Sequence, residues 1–171
     1  MMNVIDDYKM LDPATIRGLN AQSSHHAAIA LHNVEGGLNL GSMVRTANFL
    51  GFSEVLYYGR RKYNKRSAVG TYHYTYIHHY ETEQEFLEAI RSKSYRLVAM
   101  ENNVNYQTTP LWGFTWPDHP CIIVGEEGHG LSDDILDQCE AIVEVPGLGS
   151  ARCLNVSVTA GIAMADYIKT R

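Results

Sequence analysis

Five short apolar runs constrain this chain more than any other feature. Residues 27–32, 54–58, 97–100, 121–124 and 141–145 have strand length and little of the polar alternation of a strand with one wet face. Between them lie segments with helical spacing. Leu40, Met43, Val44, Ala47 and Leu50 share one stripe, and Gly51 follows as a C-cap. Phe86, Leu87 and Ile90 share another within 83–93, and Ser132 is placed to cap a helix through Leu136, with Asp133 and Asp134 near its positive end. A last helix is expected to start near Leu154, with Leu154, Val158, Ile162 and Ala165 along one stripe. Strands buried on both faces that alternate with helices predict an α/β domain with a mostly parallel sheet flanked by helices. Ligands of such sheets bind in the loops beyond the carboxyl ends of the strands, where the glycine-rich loops of this chain fall.

The 171 residues fit one such domain, with 1–25 as a polar N-terminal extension carrying a helix around 14–20, and 26–171 as the domain itself. No stretch approaches the roughly 18–20 apolar residues that span a bilayer, and acidic residues stand where a signal peptide would have a basic head. Cys121, Cys139 and Cys153 have neither zinc-site nor CxxC spacing, and an odd count suggests no disulfide framework. A reduced, soluble, cytoplasmic protein without membrane contact is the simplest expectation. His25-His26 and His78-His79 are adjacent pairs whose side chains diverge in a strand, so no metal site is expected.

Fourteen Lys+Arg against nineteen Asp+Glu give a net charge of −5, which excludes a generally basic coat for nucleic acid. Any polyanion must bind a local patch. Residues 60–66 provide one, with Arg60, Arg61, Lys62, Lys65 and Arg66 and no acid. Tyr63 lies within this run, and Tyr72, Tyr74 and Tyr76 alternate beyond it. Cations hold phosphates and aromatic faces stack bases, so the segment is a candidate RNA surface. The alternative is a solvated basic loop followed by a strand with one tyrosine face.

Three segments carry candidate chemistry. Residues 33–47 read as a strand end, a Gly36-Gly37 turn, and a helix whose early turns bear Asn39 and Arg45, a combination suited to an anion. Residues 122–131 end a buried strand in Gly125-Glu126-Glu127-Gly128-His129-Gly130-Leu131. Its two carboxylates disfavour a pyrophosphate and suit a cationic group or ribose hydroxyls. Residues 145–157 run from a strand end through a glycine-rich turn into Cys153-Leu154-Asn155-Val156-Ser157. Read singly, each is equally a turn with capping or surface polar groups.

In order, they resemble the SpoU/TrmH family of the SPOUT superfamily, RNA ribose 2′-O-methyltransferases that use S-adenosylmethionine. The family patterns N-x-G-x-x-x-R-T-A, G-x-E-G-x-G-L and I-P-M…S-L-N-V-S are similar to Asn39-Leu-Gly41-Ser-Met-Val-Arg45-Thr46-Ala47, Gly125-Glu-Glu127-Gly128-His-Gly130-Leu131 and Val145-Pro146-Gly147…Cys153-Leu154-Asn155-Val156-Ser157. Cys153 stands where Ser is usual, a weaker donor than a hydroxyl, and Gly147 where Met is common.

The resemblance implies a C-terminal deep trefoil knot, a rare exception to unthreaded topology. It implies S-adenosylmethionine held by Met100, Glu101, Asn102, Gly125, Glu126, Gly130, Val145, Leu148, Cys153 and Leu154, and functional positions at Asn39, Arg45, Glu127, Cys153 and Asn155. It also implies a homodimer whose active site is completed across the interface, and an RNA substrate, tRNA first and rRNA second. The extension is shorter than the separate RNA-binding domain of some relatives. A non-catalytic RNA-binding protein that keeps the fold is the alternative.

Overall fold

The computed structural model describes residues 4–35, 37–52, 54–102, 105–125 and 127–171. Strands β1 (Ala28–Asn33), β2 (Glu54–Gly59), β3 (Tyr76–Tyr80), β4 (Arg96–Met100), β5 (Thr109–Pro110), β6 (Pro120–Val124) and β7 (Ala141–Glu144) form one sheet in the order β3-β2-β1-β6-β4-β7-β5. Every pairing is parallel. All strands therefore point their carboxyl ends to one edge, where the loops after β1, β2, β4, β6 and β7 gather.

Helices α2 (Asn39–Phe49) and α5 (Val156–Lys169) cover one face of the sheet, and α3 (Glu83–Ser92) and α4 (Asp133–Leu136) the other. Strand alternation divides the core between them. Ile29, Leu31, Val55, Ile122 and Val124 meet α2 and α5, while Ala28, Ala30, Leu56, Cys121 and Ile123 meet Phe86, Ile90 and Ile135. A four-residue helix such as α4 has no stability of its own, so this packing holds it, helped by Ser132, whose Oγ accepts from Ile135 N at 3.2 Å.

Helix α1 (Pro13–Gln22) is capped by Asp12, which accepts from Ala14 N and Thr15 N, with Pro13 at its first position. Within the N-terminal extension, Ile16 is buried, Asn20 Nδ2 donates to the Tyr74 carbonyl at 3.2 Å, and Arg17 lies 5.2 Å above the Tyr76 ring. The segment is docked on the domain. No helix among the described residues is long and apolar enough to cross a membrane.

Three expectations change. Helix α5 begins at Val156, capped by Asn155, and its buried face is Val156, Ala160, Ala163, Met164 and Tyr167. Of the expected stripe, Leu154 precedes the helix and is exposed, Val158 and Ala165 are exposed on it, and Ile162 is half-buried against the core. A helix this apolar has two candidate faces, and packing against α2 selects the one with alanines. The tyrosines after the basic run do not share a strand face: a 3-10 turn at Thr71–His73 precedes β3, and Tyr74 is buried. Finally, β5 arises inside what reads as a loop. Two residues, one of them Pro110, carry no strand pattern, and Leu111 N extends the pairing to the Glu144 carbonyl at 2.8 Å.

Candidate active site

The cap of α5 gathers the candidate residues. Asn155 Oδ1 accepts from Ser157 N at 3.0 Å and Val158 N at 3.3 Å, satisfying two free donors of the helix start. Its Nδ2 then points away and donates to Asn39 Oδ1 at 3.0 Å and Glu127 Oε1 at 2.5 Å. One side chain thus joins the first turn of α2, the loop after β6 and the start of α5.

Two further contacts bring the end of β4 to the same place. Asn102 Nδ2 donates to the Arg152 carbonyl at 3.1 Å, and Glu101 Oε1 accepts from Asn102 N at 2.9 Å. Gly130, at φ +64°, comes so close that a Cβ there would lie 3.1 Å from Glu101 Oε2. The loop after β6 also folds on itself: a Cβ on Gly125 would lie 2.3 Å from the Gly130 carbonyl carbon, a space no side chain can enter.

Of the residues named from sequence, Asn39, Glu101, Asn102, Gly125, Glu127, Gly130 and Asn155 are linked by these contacts. Val145 packs on the core beside them, and Met100 is buried in the core, so only its backbone is free to face a ligand. Leu148, Cys153 and Leu154 are exposed. Arg45 is exposed on α2 with no hydrogen bond or ion pair among the described residues. Glu126 and Gly36 lie outside the described residues. No group of three or more His, Cys, Asp or Glu side chains suited to a metal occurs among the described residues.

The basic run follows β2 at the same edge of the sheet, and Arg60, Arg61, Lys62, Lys65 and Arg66 are all exposed. Lys65 Nζ lies 5.0 Å from the centre of the Tyr72 ring. Tyr63 is half-buried edge-on against Tyr57, and burial, with the neighbouring Tyr57 and Tyr72, pushes its phenol up to about 12. Neither Tyr63 nor the buried Tyr74 offers a free face for a base. A cleft of about 470 Å³ runs from Arg61 along β3, lined by Tyr57, Ile77, His79, Tyr80 and Glu81 among others.

Sequence reasoning missed Asn33 and Tyr57. Asn33 ends β1 with 1% exposure and binds the carbonyls of the basic run, as does Tyr57 from β2. A polar residue closing an otherwise apolar strand was the available signal. Glu54, at the opposite edge, is a structural ion cluster: Lys93 Nζ at 2.8 Å and Tyr95 OH at 2.6 Å donate to it, and His78 Nε2 lies 3.0 Å away.

The model for the SpoU rRNA Methylase family matches residues 26–165. A tRNA/rRNA methyltransferase of Mycolicibacterium paratuberculosis, itself uncharacterized, is 28% identical over 148 residues, 84% of this chain and 47% of that protein. The chain thus spans about half the length of the curated relatives it matches. A crystal structure of an RNA 2′-O ribose methyltransferase superposes with a TM-score of 0.74 at 25% identity, covering 87% of this chain and 57% of the other. The SpoU methyltransferase AviRb from Streptomyces viridochromogenes, crystallised with AdoMet, gives 0.74 at 19% identity, covering 87% and 58%. The ordered motifs and a match over most of the length agree: the chain belongs to the SpoU rRNA methylase family.

Proposed function

We propose that this chain is an S-adenosylmethionine-dependent RNA ribose 2′-O-methyltransferase, acting on tRNA first and rRNA second, as a cytoplasmic homodimer with a C-terminal trefoil knot. The observation that carries the reading is the Asn155 amide, which holds Asn39 and Glu127 together beside the glycine-rich loop after β6.

The residues gathered at this edge fit the cofactor. Gly125 and Gly130 let the loop after β6 fold tightly on itself and against Glu101, and the Glu101 and Glu127 carboxylates suit a ligand with a cationic centre. The backbone of Met100, with Glu101, Asn102, Gly125, Glu126, Gly130, Val145, Leu148, Cys153 and Leu154, would hold it. S-adenosylmethionine supplies an electrophilic methyl on its sulfonium.

A ribose 2′-OH is a poor nucleophile until it loses its proton. Arginine keeps its own proton in proteins, so Arg45 is not the base. An exposed guanidinium, unpaired among the described residues, is instead free to grip the adjoining phosphate and stabilise the negative charge that develops on the 2′-oxygen. Glu127, already accepting from Asn155, organises the loop, and Asn39 and Asn155 orient the groups around it. Arg60, Arg61, Lys62, Lys65 and Arg66 bind the RNA backbone.

Exposed apolar side chains on α5 and α2 support the dimer. Val158 and Phe49 are 49% and 86% exposed on neighbouring helices, and a second copy would cover them. The knot is supported by β7 lying between β4 and β5, with Asn102 binding the segment that leaves β7.

Transfer of labelled methyl to unmodified tRNA and, separately, rRNA, followed by digestion to nucleosides, tests the reading. The wild type is expected to yield 2′-O-methylated nucleosides and Arg45→Ala to yield none. Cofactor binding without transfer to either pool would refute these substrates. Absence of both binding and transfer would leave a non-catalytic RNA-binding protein.

A further inference from the structure

The basic run is pinned rather than free. Asn33 Nδ2 donates to the Arg60 carbonyl in a short hydrogen bond and reaches the Lys62 carbonyl at 3.5 Å, while the Asn33 carbonyl accepts from Arg60 N at 2.8 Å. Tyr57 OH donates to the carbonyl between them, that of Arg61, at 2.9 Å. Three successive carbonyls therefore turn inward onto buried donors, and the side chains that carry the charge remain outside. Gly59 makes the close approach possible: at φ +92°, a Cβ there would lie 2.8 Å from the Asn33 carbonyl oxygen.

The other end of the run is tied to the turn that opens α2. Asn64 N donates to the Gly37 carbonyl at 3.3 Å, Ser67 Oγ to the Leu38 carbonyl at 2.7 Å, and Arg60 to the Glu35 carbonyl at 2.9 Å. Gly41 presses on the same stretch, since a Cβ would lie 2.8 Å from the Asn64 carbonyl oxygen. That turn leads directly into Asn39 and Arg45. The basic run and the candidate catalytic turn are one body, and Asn33, at the end of β1, is the side chain that binds it from beneath.

We propose that Asn33 is a positioning residue that locks the basic loop in register with Asn39 and Arg45. The RNA backbone would then meet a preformed cationic edge at a fixed offset from the reacting ribose. A loop that had to order itself on binding would lose affinity to the entropy of that ordering. The lock rests on the contacts alone; its consequence for RNA rests on the methyltransferase reading.

The loop carries its own reporter, because each of its five cations is a trypsin site. A pinned backbone resists cleavage until it opens locally. In Asn33→Ala, cleavage within 60–66 is expected to accelerate at least tenfold. KM for RNA should rise about tenfold, with kcat and the S-adenosylmethionine Kd within about twofold of wild type. Tyr57→Phe, which removes one hydroxyl and leaves the ring packing, should move cleavage and KM in the same direction by less, and it decides the matter if Asn33→Ala does not fold. Unchanged cleavage in both variants would overturn the lock. Faster cleavage with unchanged RNA affinity would overturn its role in positioning RNA, as would a joint impairment of KM, kcat and cofactor binding in Asn33→Ala with Tyr57→Phe unaffected. RNA affinity by filter binding serves if no transfer is found, so a failure of the methyltransferase reading is distinguishable from a failure of the lock.

Discussion

Asn155 Nδ2 donates to Asn39 Oδ1 at 3.0 Å across 116 positions of the chain. The same side chain caps α5 through its oxygen, so one residue serves a helix end and the candidate site at once. The two roles use different atoms and are separable by substitution.

Asn155→Asp keeps the capping oxygen and replaces the donor with an acceptor facing Asn39 and Glu127. Methyl transfer should fall by at least about a hundredfold, while the melting temperature drops little. Asn155→Ala removes both roles and should also cost about 1 kcal/mol of stability. Circular dichroism melts run beside transfer assays check the pair; equal melting losses in both variants would contradict the division.

Gly125→Ala places a methyl where the Gly130 backbone already stands. The loop must move, so S-adenosylmethionine affinity measured by calorimetry should weaken more than tenfold, with about 1–3 kcal/mol of stability lost to overpacking. Gly147→Ala is the control, because nothing lies within 4 Å of its added carbon. Its fold should be unaffected.

Glu54 sets the acid limb of stability. Burial works to raise its carboxyl, but His78, Lys93 and Tyr95 outweigh it and hold the pKa at about 2, against 4.5 ordinarily. A lowered folded-state pKa means the contribution is complete above about pH 4.5 and is lost as pH falls toward about 2. On the order of 2 kcal/mol should disappear across that window. Denaturation at a series of pH values should show a flatter acid limb in Glu54→Gln.

Replacing Arg60, Arg61 and Lys62 together with alanine should weaken RNA binding and flatten its salt dependence. The slope of log K against log salt should fall by roughly one unit for each phosphate that is no longer neutralised. An unchanged slope in filter-binding titrations would remove this loop from the RNA surface.

Val158→Glu puts a charge on the exposed side of α5. Sedimentation should show a dimer in the wild type and a monomer in the variant. Because Val158 is 49% exposed in the single chain, the circular dichroism spectrum should not change. A wild-type monomer would count against the proposed assembly.

The pattern of apolar runs determined the α/β class, the parallel sheet and most element boundaries, because a sheet covered by helices on both sides is the common way to bury both faces of a strand. The resemblance of three ordered motifs to the family, not the apolar pattern, pointed to Asn39, Glu127 and Asn155, since local motifs retain residue order and spacing. The capping of α4 by Ser132 was equally legible, being a matter of neighbours in the chain.

Tertiary structure decided what depends on distant partners. Apolar residues lie on both faces of α5, and only the approach of α2 chose Ala160 and Ala163 inward and Val158 outward. The two-residue β5 exists because β7 offers it an edge. Asn33 looks like any strand end until the chain returns 27 positions later and sets the Arg60 carbonyl against its amide. Hydrogen-bond partners far apart in sequence leave no periodic trace, so the joining of the basic loop to the turn that opens α2 was visible only once the sheet had brought β1 and β2 side by side.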